Sequence, residues 1–115
     1  MMYKLRIMRA AQNEIRMIYR YIADDLQNPT AAAGRIALID EKIQSLKQNP
    51  ARFPLVRNDY LASKGFRIIV VENHLIFFII REEARVVSVM RVLYARRDWL
   101  RILNLEVKNQ SDEDY

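Results

Sequence analysis

GFRIIVVENHLIFFIIREEARVVSVMRVL, residues 65–93, is the stretch that decides the fold. Three runs, Phe66–Val71, His74–Arg81 and Arg85–Leu93, are rich in Ile, Val and Phe. Glu72-Asn73 and Glu82-Glu83 interrupt them, so the stretch reads as a three-stranded antiparallel meander with two tight turns. If both turns hold two residues, Val71 faces His74 and Arg67 faces Phe78. Across the second turn, Arg81 then faces Ala84, Phe78 faces Val87 and His74 faces Arg91. The two-residue period of a strand sorts the side chains. One face carries Phe66, Ile68, Val70, Leu75, Phe77, Ile79, Val86, Met90 and Val92, with Ser88 as its main polar member; it is predicted to lie under helices. The other carries Arg67, His74 and Arg91 among Ile69, Val71, Ile76, Phe78, Val87 and Val89. That second face is either a basic binding surface or the solvated side of a one-sided sheet.

Upstream, Tyr3–Met8 alternates apolar and basic residues and reads as a strand. Ala11, Ile15, Ile18, Ile22 and Leu26 recur at helical spacing and predict a helix over 9–26 with no evident N-cap. Asn28-Pro29 ends it and starts the next, since Asn caps well and Pro suits the first turn. Ala32, Ile36, Ile39, Ile43 and Leu46 predict a second helix over 30–48, stopped by Asn49-Pro50. The two form a helical hairpin. Residues 49–64 have no clean period and read as a long connecting loop. A last helix starts near Asp98, with Trp99, Ile102 and Leu103 inward. The order β-α-α-β-β-β-α makes an α+β domain, with the helical hairpin on one face of a small, mainly antiparallel sheet. It spans residues 1–107, followed by a polar acidic tail, 108–115.

A chain of 115 residues with 51% apolar residues makes one domain with a real core. It has no cysteine and one histidine, which excludes disulfides, thiol chemistry and multi-histidine metal sites. Two glycines leave no room for a glycine-rich phosphate loop. No metal and no small-molecule cofactor is expected. The longest strictly apolar run, Leu75–Ile80, is far short of the ~18 residues that span a bilayer, and the N-terminus has no signal-peptide core, so the expected location is cytoplasmic, with no membrane partner. Fourteen of the 19 basic residues are arginine, and the net charge is +5. Without Asp112, Glu113 and Asp114 it is +8. An arginine-rich basic body suits a polyanionic or acidic partner.

Arg91-Val92-Leu93-Tyr94-Ala95-Arg96-Arg97-Asp98-Trp99 is the densest polar and aromatic cluster. Guanidinium groups beside rings serve single-stranded nucleic acid and protein hot spots alike. Trp99 also reads as a core plug under the last helix. His74 reads as a hydrogen-bonded residue beside a turn rather than a catalyst.

The order of elements, Asn28-Pro29, Pro50-x-x-Phe53-Pro54, Gly65-Phe66-Arg67 and Arg91-Val92-Leu93-Tyr94-Ala95-Arg96-Arg97-Asp98 together resemble the RelE/ParE superfamily of bacterial toxins, over about residues 3–105. The resemblance implies the toxin of a type II toxin–antitoxin pair, bound and neutralised by a cognate antitoxin. Two activities occur on this fold. ParE-like members poison DNA gyrase, and RelE-like members cleave mRNA on the ribosome without a metal. RNA cleavage needs a base for the 2′-OH, cations at the phosphate and an acid for the leaving oxygen. Under the RelE-like reading Arg67, Arg91 and Tyr94 are the catalytic candidates. Under either reading Arg67, Arg91, Tyr94, Arg96 and Arg97 are the target-binding candidates. The paired lysines of some RelE-like toxins have only Arg52, Arg57 and Lys64 as near counterparts. The closing Leu-Tyr-Ala-Arg-Arg-Asp run is more similar to the ParE side, so gyrase inhibition is the leading expectation. An mRNA endonuclease is the alternative, and a non-toxic interaction module the third. Arg67 and Arg91 are expected outside the core. The tail, Ser111–Tyr115, is either a solvated terminus or a weak shield folded back on Arg96 and Arg97.

Overall fold

The computed structural model describes residues 2–109. β1 (Lys4–Ile7) leads into α1 (Arg9–Arg20), whose last turn widens into a π-helical turn over Tyr21–Asp25. α2 (Pro29–Gln44) follows and ends in a 3₁₀ turn, Ser45–Lys47. Asn28 is its N-cap: its side chain accepts from the Ala31 N–H at 3.1 Å, with Pro29 opening the helix. Segment 49–64 is not the irregular loop predicted. It holds a 3₁₀ turn, Pro50–Arg52, and a one-turn helix α3, Asp59–Ser63, capped by the Asn58 side chain at 3.0 Å from the Leu61 N–H. Then come β2 (Arg67–Val71), β3 (His74–Arg81), β4 (Val86–Tyr94) and α4 (Trp99–Asn109). The Asp98 carboxylate accepts from the Arg101 N–H at 3.3 Å, and α4 runs two residues past the predicted boundary at 107.

The sheet order is β1-β4-β3-β2, with β1 parallel to β4 and the other pairs antiparallel. The α+β architecture and the hairpin on a mainly antiparallel sheet are as predicted. The first turn also keeps its predicted register, Val71 opposite His74 and Arg67 opposite Phe78.

The second turn does not. Arg81 pairs with Val86, so four residues, Glu82–Arg85, make the connection. Arg85 adopts φ +55°, stacks on the Tyr3 ring at 4.5 Å and pairs with Glu82 at 3.5 Å, which fixes the longer turn. Phe78 therefore faces Val89, not Val87. A bulge then leaves Met90 unpaired and switches the parity of everything beyond it. Phe77 faces Arg91, and His74 faces Tyr94 instead of Arg91.

The faces are also reversed. The hairpin packs on Ile69, Val71, Ile76, Phe78, Val87, Val89 and Val92, with Ala11, Ile39, Ile43 and Leu46 from the helical side. The face predicted to lie under the hairpin is instead covered by α3 and α4. There Phe66, Leu75, Phe77, Ile79, Met90 and Leu93 pack with Leu61 and Leu103, and Trp99 lies against Phe77 at 5.3 Å. Nearly all of β3 is buried, as suits a strand covered on both sides. Among the described residues both faces of the sheet are covered, so the arrangement is neither a one-sided solvated sheet nor a free basic sheet surface.

Candidate functional site

The apolar stripe of the first helix is longer than the sheet it covers. Ile15 and Ile18 reach the core, but Leu26 is 56% exposed at the hairpin tip. Around that overhang lies a groove of about 570 Å³, lined by Met17, Ile18, Tyr21, Ile22, Leu26 and Ala31. Its floor is polar: Arg35 of α2, Asn73 and His74 of the first meander turn, and Tyr94 at the end of β4. One Arg35 amino group, Nη1, donates to Asn73 Oδ1 at 2.6 Å and to His74 Nδ1 at 2.8 Å. An arginine can only donate, so Nδ1 is the acceptor and His74 is neutral in this arrangement. Burial, and then the nearby Arg35 charge, hold the His74 pKa below its ordinary 6.5. The Tyr94 ring meets His74 edge-on at 5.8 Å.

Beyond Tyr94 the chain turns sharply. Arg97 N–H bonds Tyr94 C=O at 2.9 Å, and Ala95 N–H bonds Asn73 C=O at 2.8 Å. Arg96 and Arg97 are exposed, and their guanidinium groups have no side-chain partner among the described residues. Tyr94, Arg96 and Arg97 thus gather at one strand end, as their spacing suggested.

Arg67 and Arg91 are differently placed. Arg67 donates to the Phe53 carbonyl at 2.7 Å and the Ala51 carbonyl at 3.3 Å, tying down the 49–54 segment. Arg91 lies between two carboxylates. Its Nε donates to Glu14 of α1 at 2.9 Å, and Nη1 lies 3.6 Å from Glu106 of α4. The other Glu14 oxygen accepts the Val92 N–H at 3.0 Å, where β1 has ended and the edge of β4 would be bare. Burial alone would lower the Arg91 pKa; the Glu14 and Glu106 carboxylates more than offset it and leave it raised. The bulge places Arg91 on the α4 side of the sheet, away from Arg67 and His74, so the three do not form the one basic face predicted.

Of the lysine counterparts, Arg52 is consumed by capping. Its Nη1 donates to the Gln48 and Asn49 carbonyls at 2.6 and 2.9 Å, and it stacks on Phe53 at 4.4 Å. Arg35, Met17 and Tyr21 were missed as site residues. The available signal was a large apolar pair at i, i+4, Met17 and Tyr21, lying off the core stripe.

Among the described residues no group of acidic or histidine side chains could hold a metal, and no helix is long and apolar enough to cross a membrane. The sequence model of the ParE toxin of the type II toxin–antitoxin system parDE matches residues 5–99. The chain belongs to the ParE toxin family, within the RelE/ParE superfamily. Solved structures with the same fold include the chromosomal ParDE toxin–antitoxin system of P. aeruginosa. It is 18% identical at a TM-score of 0.68, covering 83% of this chain and 98% of that one. The free E. coli toxin RelE, in an arginine-substituted mutant, is 15% identical at 0.66, covering 93% and 98%. The RelBE2 toxin–antitoxin complex of Mycobacterium tuberculosis is 17% identical at 0.59, covering 82% and 99%. At these identities the likeness is one of fold. No curated protein matches the sequence.

Proposed function

We propose that this ParE-family toxin is neutralised by a cognate antitoxin and, when free, inhibits DNA gyrase by binding it rather than by cutting RNA. The observation that carries this reading is the engagement of the two arginines that cleavage would need. A cation that stabilises an in-line phosphate must face the substrate. Arg67 is bound to backbone carbonyls, and Arg91 to two carboxylates of its own chain. Tyr94, Arg96 and Arg97 remain as the target-binding group, and the match to the ParE family supports the same side. Arg67 and Arg91 then serve the target indirectly, by holding the loop and the strand end in place. The similar P. aeruginosa and M. tuberculosis structures are of toxin–antitoxin systems, which supports an antitoxin partner here.

The test is a gyrase supercoiling assay run beside a ribosome cleavage assay with the purified chain. Loss of supercoiling with intact mRNA is expected. Codon-positioned mRNA cuts with unimpaired gyrase would assign the RelE-like activity instead.

A further inference from the structure

Tyr94, Arg96 and Arg97 belong to a turn that packing does not hold: Ala95, Arg96, Arg97 and Asp98 are all exposed. The far end of the turn is anchored where Trp99 lies against Phe77 at 5.3 Å. The near end hangs from a hydrogen bond, Ala95 N–H to Asn73 C=O at 2.8 Å. Asn73 sits in a tight turn of its own, between the paired residues Val71 and His74, in which Glu72 adopts φ +55°. Non-glycine residues rarely take that conformation, and it persists where surrounding contacts impose it. Here a charged donor grips the turn from the side. Arg35 Nη1 donates to Asn73 Oδ1 at 2.6 Å and to His74 Nδ1 at 2.8 Å, so one amino group holds two consecutive residues. Arg35 is half-buried on α2, and its backbone is fixed by the helix while its guanidinium reaches the turn.

We infer that Arg35 is a positioning residue for target binding: through Asn73 it fixes the turn that presents Tyr94, Arg96 and Arg97. This rests on the gyrase reading above for the identity of the target. A charged donor makes a stronger hydrogen bond than a neutral one, which suits a clamp at an exposed turn. With Asn73 clamped, its carbonyl is held where Ala95 N–H can meet it. The two arginines are then ordered before the target arrives, and binding is spared the entropy of ordering them. Released from Asn73, the same arginines keep their charge and lose their geometry.

Amide hydrogen exchange followed by NMR on the full-length protein tests this, because the Ala95 N–H is protected while it meets Asn73. Ile76, paired on both sides in β3, reports the core in the same sample. Arg35→Met and Asn73→Ala should raise exchange at Ala95 relative to Ile76 by about tenfold or more, the range for removing a charged hydrogen-bond partner. Arg35→Lys keeps a charged donor and Asn73→Asp keeps an acceptor, so both should retain most of the protection. In the supercoiling assay the concentration of Arg35→Met that gives half inhibition should rise by about tenfold on the same ground, and Arg35→Lys should recover most of the loss. Equal changes at Ala95 and Ile76 would make Arg35 a brace for the whole fold and overturn the inference. Lost inhibition with Ala95 still protected would make Arg35 a direct contact with the target and overturn it too. So would full inhibition with Ala95 released, since the placement of the turn would then not matter. A wild-type chain that leaves supercoiling intact removes the gyrase reading alone, and the clamp on the turn is then decided by the exchange rates.

Discussion

Arg91 and Arg97 stand six residues apart, and the structure uses them in opposite ways. Arg91 is enclosed by Glu14 and Glu106, while Arg97 projects into solvent. Removing a partner from a part-buried charged network strands the two carboxylates, so Arg91→Ala is expected to destabilise by about 1.5–3 kcal/mol. Urea unfolding checks this. Arg97→Ala should change stability by less than about 0.5 kcal/mol, as exposed substitutions do, yet weaken gyrase inhibition. An Arg97→Ala variant with full potency would remove Arg97 from the target-binding group. His74 supplies a pH dependence. Its pKa is lowered in the folded state, so below 6.5 the unfolded chain takes up a proton that the folded chain resists. Stability on this account is level above pH 6.5 and falls as pH drops below it. The urea midpoint should be lower at pH 5.5 than at 7.5, and the difference should shrink in His74→Asn. The cluster of Tyr94, Arg96 and Arg97 was legible because it is contiguous in sequence. The place of Arg91 was not: one bulged residue at Met90 flips it, and nothing local in the valine-rich run marks the bulge.

Elements with local punctuation were the readable ones. Asn28-Pro29 reads as a cap, and in the structure it is one. Asn28→Ala is expected to cost about 1 kcal/mol, as for other lost N-caps, visible as a lowered thermal midpoint in circular dichroism. Helix α3 escaped notice because five residues make one turn, too short for a periodic stripe. Which face the hairpin covers was equally hidden. Both parities of β3 are apolar, as a strand buried on both sides requires, so alternation carries no label for inside and outside. The groove at the hairpin tip followed from neither cue. It depends on a π-helical turn at Tyr21–Asp25, where the Leu26 N–H reaches back five residues to the Tyr21 carbonyl at 3.0 Å.

At the scale of the whole molecule, one sheet separates two cores, and neither is optional. Leu103 of α4 is fully buried against the second core. Leu103→Ala should cost roughly 2–5 kcal/mol, the range for such truncations, and the loss should appear equally in Trp99 fluorescence and far-ultraviolet circular dichroism if the two layers unfold together. The parallel pairing of Lys4–Ile7 with Val86–Val89 has a consequence in time. The strand synthesised first waits for the one synthesised last. Roughly 80 residues separate them, and at ~5–20 residues per second a ribosome needs about 4–16 s to cover that distance. Until then the nascent chain has no complete sheet, and Glu14 has no strand edge to seal. Each copy is therefore without its complete sheet until Val86–Val89 has left the ribosome, and a partner already waiting would meet that copy as its last strand closes the fold.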